Sequence, residues 1–153
     1  VRSINSTCKI VEAASPLTIE NAEEIAGKTI LVVEDGPTLT HGGMTYGAGT
    51  VAALKSGAGE LVDPRPWAVG KLAETFEIYP EIGTLLPAMG YGAEQLADLE
   101  TTINAVECDA VVIGTPIDLN RIVKIEKPTY RVGYSLQEIG SPNLTEILEK
   151  FTK

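Results

Sequence analysis

Glu34 and Asp35 stand side by side at the end of an apolar run, and the residues after them carry Thr38, Thr40 and His41, the single histidine of the chain. Carboxylate oxygens at a strand end suit a hard cation such as Mg²⁺, which makes Asp35 a metal candidate, and Glu34 is a candidate for orienting a reacting group. Histidine changes charge near neutral pH, so His41 is a candidate for proton transfer or for meeting an anion. Gly36, Gly42, Gly43, Gly47 and Gly49 let the backbone come close to a ligand. If the chain enters a helix near residues 46–50, its free N–H groups and the hydroxyls of Thr38, Thr40 and Thr50 form an anion cradle. Each feature has an ordinary alternative: a carboxylate that caps a turn, a surface histidine, a glycine-rich connection without a ligand.

Arg65 lies between Pro64 and Pro66 and is a candidate to present its guanidinium fork to a phosphate. The alternative is an ion pair with Asp63. Further along, Thr115, Asp118 and Arg121 share another loop, where Arg121 has the same two readings with Asp118 as its local partner. Trp67 and Phe76 read as core.

These groups need a scaffold, and the pattern around them supplies one. Short apolar runs alternate with helical periodicity, which predicts an α/β fold: a mainly parallel sheet with helices on both faces, Rossmann-like and three-layered. Strands are expected at residues 9–13, 29–35, 60–62, 84–86, 109–115 and 129–134. Helices are expected at 49–55, 68–78, 93–107 and 144–151, the last with Asn143 as N-cap and Glu146 completing a capping box. Residues 20–25 suit a helical turn. Residues 36–48 read as a long glycine-rich loop, and Pro87 as the end of the strand before it. In such folds ligands bind beyond the carboxyl ends of the strands, where the candidate residues gather.

The chain of 153 residues is long enough for one domain, and with 44% hydrophobic and 22% charged residues it has the composition of a folded protein. Twenty-one acidic against twelve basic residues give a net charge of −9, the wrong sign for gripping a nucleic-acid backbone. No apolar run approaches the length of a membrane span. Cys8 and Cys108 lack metal-ligand spacing and read as reduced thiols. Asn5-Ser6-Thr7 and Asn143-Leu144-Thr145 match the glycosylation acceptor pattern, but without a secretory leader both read as chance, and the expected location is the cytoplasm. A homo-oligomer stays open. The opening at Val1 reads like the middle of a longer protein.

Val32-Val33-Glu34-Asp35-Gly36-Pro37-Thr38-Leu39-Thr40-His41-Gly42, with Tyr46-Gly47-Ala48-Gly49-Thr50, resembles cyclic 2,3-diphosphoglycerate synthetase and its predicted-GTPase relatives. The stretches Glu60-Leu61-Val62-Asp63-Pro64-Arg65-Pro66, Leu86-Pro87-Ala88-Met89-Gly90-Tyr91 and Val111-Val112-Ile113-Gly114-Thr115-Pro116-Ile117-Asp118-Leu119 resemble the same family in the same order. The resemblance implies that the chain is the C-terminal part of a longer enzyme, whose N-terminal portion binds ATP or GTP with Mg²⁺ through a P-loop. Val1-Arg2-Ser3-Ile4-Asn5 is similar to the segment after the base-recognition motif of related P-loop GTPases, with Ser6 in place of the usual proline. It further implies ATP-dependent closure of a phosphoanhydride in a small phosphorylated metabolite, with His41, Arg65 and Arg121 as cations around the phosphoglycerate. No G-x-x-x-x-G-K-[ST] occurs in these residues, so the chain alone is expected to be inactive on nucleotide. The alternative is a non-catalytic module that binds a phosphorylated metabolite or a partner protein.

Overall fold

The computed structural model describes residues 1–151. Two short strands, β1 (Ala13–Ala14) and β2 (Leu17–Ile19), and a 3₁₀ turn at Ala22–Ile25 precede β3 (Thr29–Asp35). Helices α1 (Gly36–Gly42) and α2 (Ala48–Lys55) follow, then β4 (Glu60–Leu61), a 3₁₀ turn at Arg65–Trp67 and α3 (Gly70–Ile78). The chain continues through β5 (Leu86–Ala88), α4 (Ala93–Ala105), β6 (Ala110–Ile113), a 3₁₀ turn at Leu119–Arg121 and β7 (Thr129–Tyr134). It closes with β8 (Gln137–Glu138), α5 (Leu144–Leu148) and a last 3₁₀ turn at Glu149–Phe151.

The main sheet runs β2-β7-β6-β3-β4, with β5 also on β3. Strand β3 pairs in parallel with β6 along one edge, from Ile30↔Ala110 to Val33↔Ile113. Its other edge is shared: β4 meets its first residues, and β5 its last, in the register Val33↔Leu86, Glu34↔Pro87 and Asp35↔Ala88. Strand β7 extends the sheet in parallel from β6. Ile30, Leu31, Val32 and Val33, like Ala110, Val111, Val112 and Ile113, are fully buried. A strand covered on both faces needs such an uninterrupted apolar run. Helix α2 packs on β3 and β6, and α3 on α4 and β5. The protein is thus a three-layer α/β fold with a mostly parallel sheet.

The chain divides into two compact units. The larger, Thr18–Gly133, holds the parallel sheet. The smaller combines Val1–Leu17 with the residues from Tyr134 on and contains the antiparallel pair of β1 and β8, registered Ala13↔Glu138 and Ala14↔Gln137. Its helix α5 is capped as the sequence predicts: Asn143 Oδ1 accepts from the Glu146 N–H at 2.8 Å, and Glu146 reaches back to Asn143. Among the described residues, no helix is long and apolar enough to cross a membrane. Both cysteines are free, and burial is the main cause that raises the pKa of the Cys108 thiol.

Three expectations need correction. The segment after β3 is not a loop: residues 36–42 form α1, because Asp35 caps it and Pro37 occupies its first turn, where a missing N–H costs nothing. The strand expected at 84–86 lies at Leu86–Ala88 and includes Pro87, which β5 accommodates because it pairs only with β3. The strand expected at 9–13 shrinks to β1.

At the opposite end of β3 from Glu34, Asp109 sets the register. Its Oδ2 accepts from the Thr29 N–H and from Thr29 Oγ1, both at 2.8 Å. The backbone N–H, then the hydroxyl, hold the Asp109 pKa below the usual carboxylate value; desolvation opposes them and the Lys28 charge adds to the lowering. A depressed folded pKa adds stability that is present above the ordinary carboxylate range and lost as pH falls through the folded value. Asp109→Ala is therefore expected to lower the urea midpoint at neutral pH, with the gap from the natural protein closing below about pH 4. A gap of constant size across that range would rule out the linkage.

Candidate functional site

The carboxyl ends of β3, β5 and β6 converge, and the residues just beyond them make the candidate site. At its centre is Glu34, only 2% exposed, a carboxylate inside a parallel sheet. It is retained there because α2 starts against it: Oε1 accepts from the Gly47 N–H at 3.1 Å and from the Thr50 N–H at 2.8 Å. The first turn of a helix has N–H groups without partners and the positive end of the helix dipole, so a buried carboxylate and a helix start satisfy each other. Gly47, Gly49 and Thr50 are the residues expected to form an anion cradle. The anion held there is the protein's own, and two of the N–H groups counted for a phosphate already have an acceptor.

The close fit depends on glycine. A Cβ on Gly47 would lie 2.7 Å from Glu34 Oε2, and one on Gly49 would lie 2.8 Å from Val32 Cγ1. Gly114, at the end of β6, faces the same carboxylate: a Cβ there would lie 2.5 Å from Glu34 Oε2 and 2.8 Å from the Gly49 nitrogen. Gly114 was not singled out from the sequence, because nothing local marks a strand-end glycine as opposed across the sheet by a carboxylate.

The neighbouring candidates are mostly engaged within the first helix. Asp35 Oδ2 accepts from the Thr38 N–H at 3.2 Å and from Thr38 Oγ1 at 2.5 Å, the bonds of an N-cap. Thr40 Oγ1 donates to the Gly36 carbonyl at 3.2 Å. His41 is exposed on the last turn of α1, which ends at Gly42, and Gly43 closes the helix in the left-handed conformation at φ 60°. Among the described residues, no group of three or more His, Cys, Asp or Glu side chains gathers as a metal site would require.

Arg65 takes the ordinary alternative. Its Nη1 pairs with Asp63 Oδ1 at 2.9 Å, its Nη2 donates to the Ile82 carbonyl, and its guanidinium lies 4.6 Å over the Phe76 ring. The side chain ties the turn after β4 to the segment before β5. Arg121 is exposed in its 3₁₀ turn and does not pair with Asp118. The partner of Asp118 is instead Arg131 on β7, at 3.5 Å from Oδ2. Asp118 and Arg131 are thirteen positions apart, so only the β6–β7 pairing, Ile113↔Arg131, brings them together.

Thr115 is 2% exposed and donates its hydroxyl to the Ile117 carbonyl at 2.9 Å, which shapes the loop that carries Asp118. Against it stands Tyr91, from the loop after β5. Burial raises the Tyr91 pKa above the ordinary tyrosine value, the Thr115 hydroxyl pulls it down, and Asp35 adds to the rise. The Thr115 hydroxyl itself donates to the Ile117 carbonyl. Sequence reading missed Tyr91, although a tyrosine between Gly90 and Gly92 at a strand end was the available signal.

Over its full 153 residues the chain is 54% identical to "Arginine synthetase ArcE" of Thermococcus kodakarensis, of which it covers 34%. It is similar to part of a synthetase. The chain spans about a third of the length of this curated relative. No protein-family model and no solved structure matches the chain.

Proposed function

We propose that these residues form the substrate-holding domain of a multidomain, nucleotide-driven synthetase of the cytoplasm, and that the substrate belongs to arginine chemistry. The reading is supported by the similarity over the whole chain to a third of a protein named arginine synthetase. A synthetase that forms cyclic 2,3-diphosphoglycerate was the finer expectation, and it needs cations around a phosphorylated acid. Arg65 is engaged by Asp63 and a carbonyl, and the N–H groups of Gly47 and Thr50 by Glu34. His41 and Arg121 remain, both exposed. The strand-end cations are thus few and largely engaged, which weighs against a phosphorylated substrate and leaves the similarity to an arginine synthetase as the support for the arginine reading.

ATP or GTP with Mg²⁺ would supply the driving force, but the residues here do not fit either. They contain no phosphate-cradling G-x-x-x-x-G-K-[ST], and the described residues gather no metal-ligating group. Nucleotide chemistry is assigned to residues beyond this chain, and this domain's part is to bind and orient.

The test uses the natural full-length protein that contains these residues. Incubated with L-arginine, ADP, phosphate and Mg²⁺, it is expected to run the synthesis in reverse: water displaces one guanidinium nitrogen as ammonia, leaving a ureido group, while ADP and phosphate condense to ATP and return that water, so ATP and ammonia form together and only when arginine is present. ATP-dependent cyclisation of 2,3-diphosphoglycerate, followed by phosphorus NMR, would instead move the reading to the cyclase. Neither activity would leave a non-catalytic binding module.

A further inference from the structure

The small unit, Val1–Leu17 with the residues from Tyr134 on, has no buried residue among those described. Its backbone is nonetheless specified in detail. Strand β1 pairs with β8, the Ile139 N–H donates to the Glu12 carbonyl at 2.8 Å, and α5 carries a capping box. A single short helix and a two-stranded ladder are marginal on their own. A unit of fewer than about 40 residues usually needs a disulfide, a metal or a partner surface to hold its fold. Its one cysteine, Cys8, is free, and no metal-ligating group gathers among the described residues. A partner surface is what remains.

The side that meets the partner is marked by apolar exposure. Tyr134, Leu136, Ile139, Leu144, Leu148 and Phe151 are between 40% and 71% exposed. Single exposed apolar residues are ordinary, but these crowd into one short segment. Leu144 and Leu148, four positions apart, share a face of α5. Glu138 accepts from the Leu144 N–H at 2.6 Å, which ties β8, with Leu136 and Ile139 at its two ends, to the start of that helix. The segment's charges are drawn into local contacts: Glu138 in that bond, Glu146 with Asn143 and Ser141, and Lys150 at 4.8 Å over the Phe151 ring. An apolar patch with few free charges is the surface of a protein contact.

We infer that α5 and the flanks of β8 form a docking surface for the part of the natural protein that lies beyond these residues, which meets it with an apolar, charge-poor face. The curated relative is about three times as long as this chain. A partner in the same polypeptide has the high effective concentration of a tethered domain, which a second copy of the chain lacks. A membrane fits less well, because between Tyr134 and Phe151 a single Lys150 stands against Glu138, Glu146 and Glu149, where a membrane-seeking helix carries a basic rim. The inference rests on the multidomain reading proposed above, and not on arginine as the substrate.

The test places single cysteines in the natural full-length protein and follows their reaction with a maleimide by peptide mass spectrometry. Leu148→Cys is expected to react about tenfold or more slowly than Lys55→Cys, an exposed position on the larger unit, because a group closed in a contact reacts only when the contact opens. Lys150→Cys keeps every apolar side chain in place. Carrying a photo-cross-linker, it is expected to join α5 to residues beyond this chain in a product of monomer mass. Reaction of Leu148→Cys as fast as Lys55→Cys would overturn the inference. So would a Lys150→Cys product with no cross-link beyond this chain, and one of dimer mass would give the surface to a second copy. Protection of Leu148→Cys that appears only with added lipid vesicles would give it to a membrane. Arginine-dependent formation of ATP and ammonia reads the synthetase function separately. If it proceeds while Leu148→Cys reacts freely, the docking surface falls and the synthetase reading stands. If it is absent while Leu148→Cys is protected and Lys150→Cys cross-links beyond the chain, the docking surface stands and the arginine reading falls.

Discussion

Glu34→Ala is expected to lower stability by about 2–4 kcal/mol, an effect large for a polar side chain. The carboxylate is 2% exposed and accepts from the N–H groups of Gly47 and Thr50. Its removal leaves two donors at the start of α2 without an acceptor, in a place that water reaches poorly. It also leaves a void against Gly47, Gly49 and Gly114, whose missing side chains were shaped to the carboxylate. Glu34→Gln retains an acceptor oxygen of the same size, so it should recover part of the loss. Urea denaturation reads the magnitude, and hydrogen exchange should locate it, with protection falling first in α2. A change within about 0.5 kcal/mol for Glu34→Ala would mean that the helix start is held by other contacts.

The same carboxylate shows how far the sequence could be read. The apolar run of β3 and the helical spacing of Leu96, Leu99 and Ile103 in α4 were legible, because burial on two faces, or on one stripe, leaves a periodic record in the chain. The boundaries of β7 were legible for the same reason. Helix α1 was not, since its composition of Gly, Pro and Thr reads as a turn, and only the Asp35 cap makes Gly36-Pro37 a helix start. Pro87 misled in the opposite direction: it ends most strands, but β5 has a free edge. In the candidate site, the pairing of Arg65 with Asp63 could be read because the two are neighbours in sequence. Glu34 with Thr50, Asp118 with Arg131, and Tyr91 with Thr115 could not, because each pair is assembled by the sheet and not by local spacing.

Gly114→Ala separates the packing of this site from its chemistry, since it adds one methyl group and no polar atom. The Gly114 N–H donates to the Val33 carbonyl at 2.7 Å, so the backbone is held in the ladder and cannot swing the new Cβ aside. That Cβ would stand 2.5 Å from Glu34 Oε2 and 2.8 Å from the Gly49 nitrogen. The side chain must tilt, and α2 must move away from β6. Overpacking of this kind costs about 1–3 kcal/mol. Glu34→Ala in the same chain removes the closer obstacle but leaves the backbone of Gly49, so the double variant should be more stable than the sum of the single losses by about 1 kcal/mol. Strict additivity in urea denaturation would mean that the methyl group never meets the carboxylate.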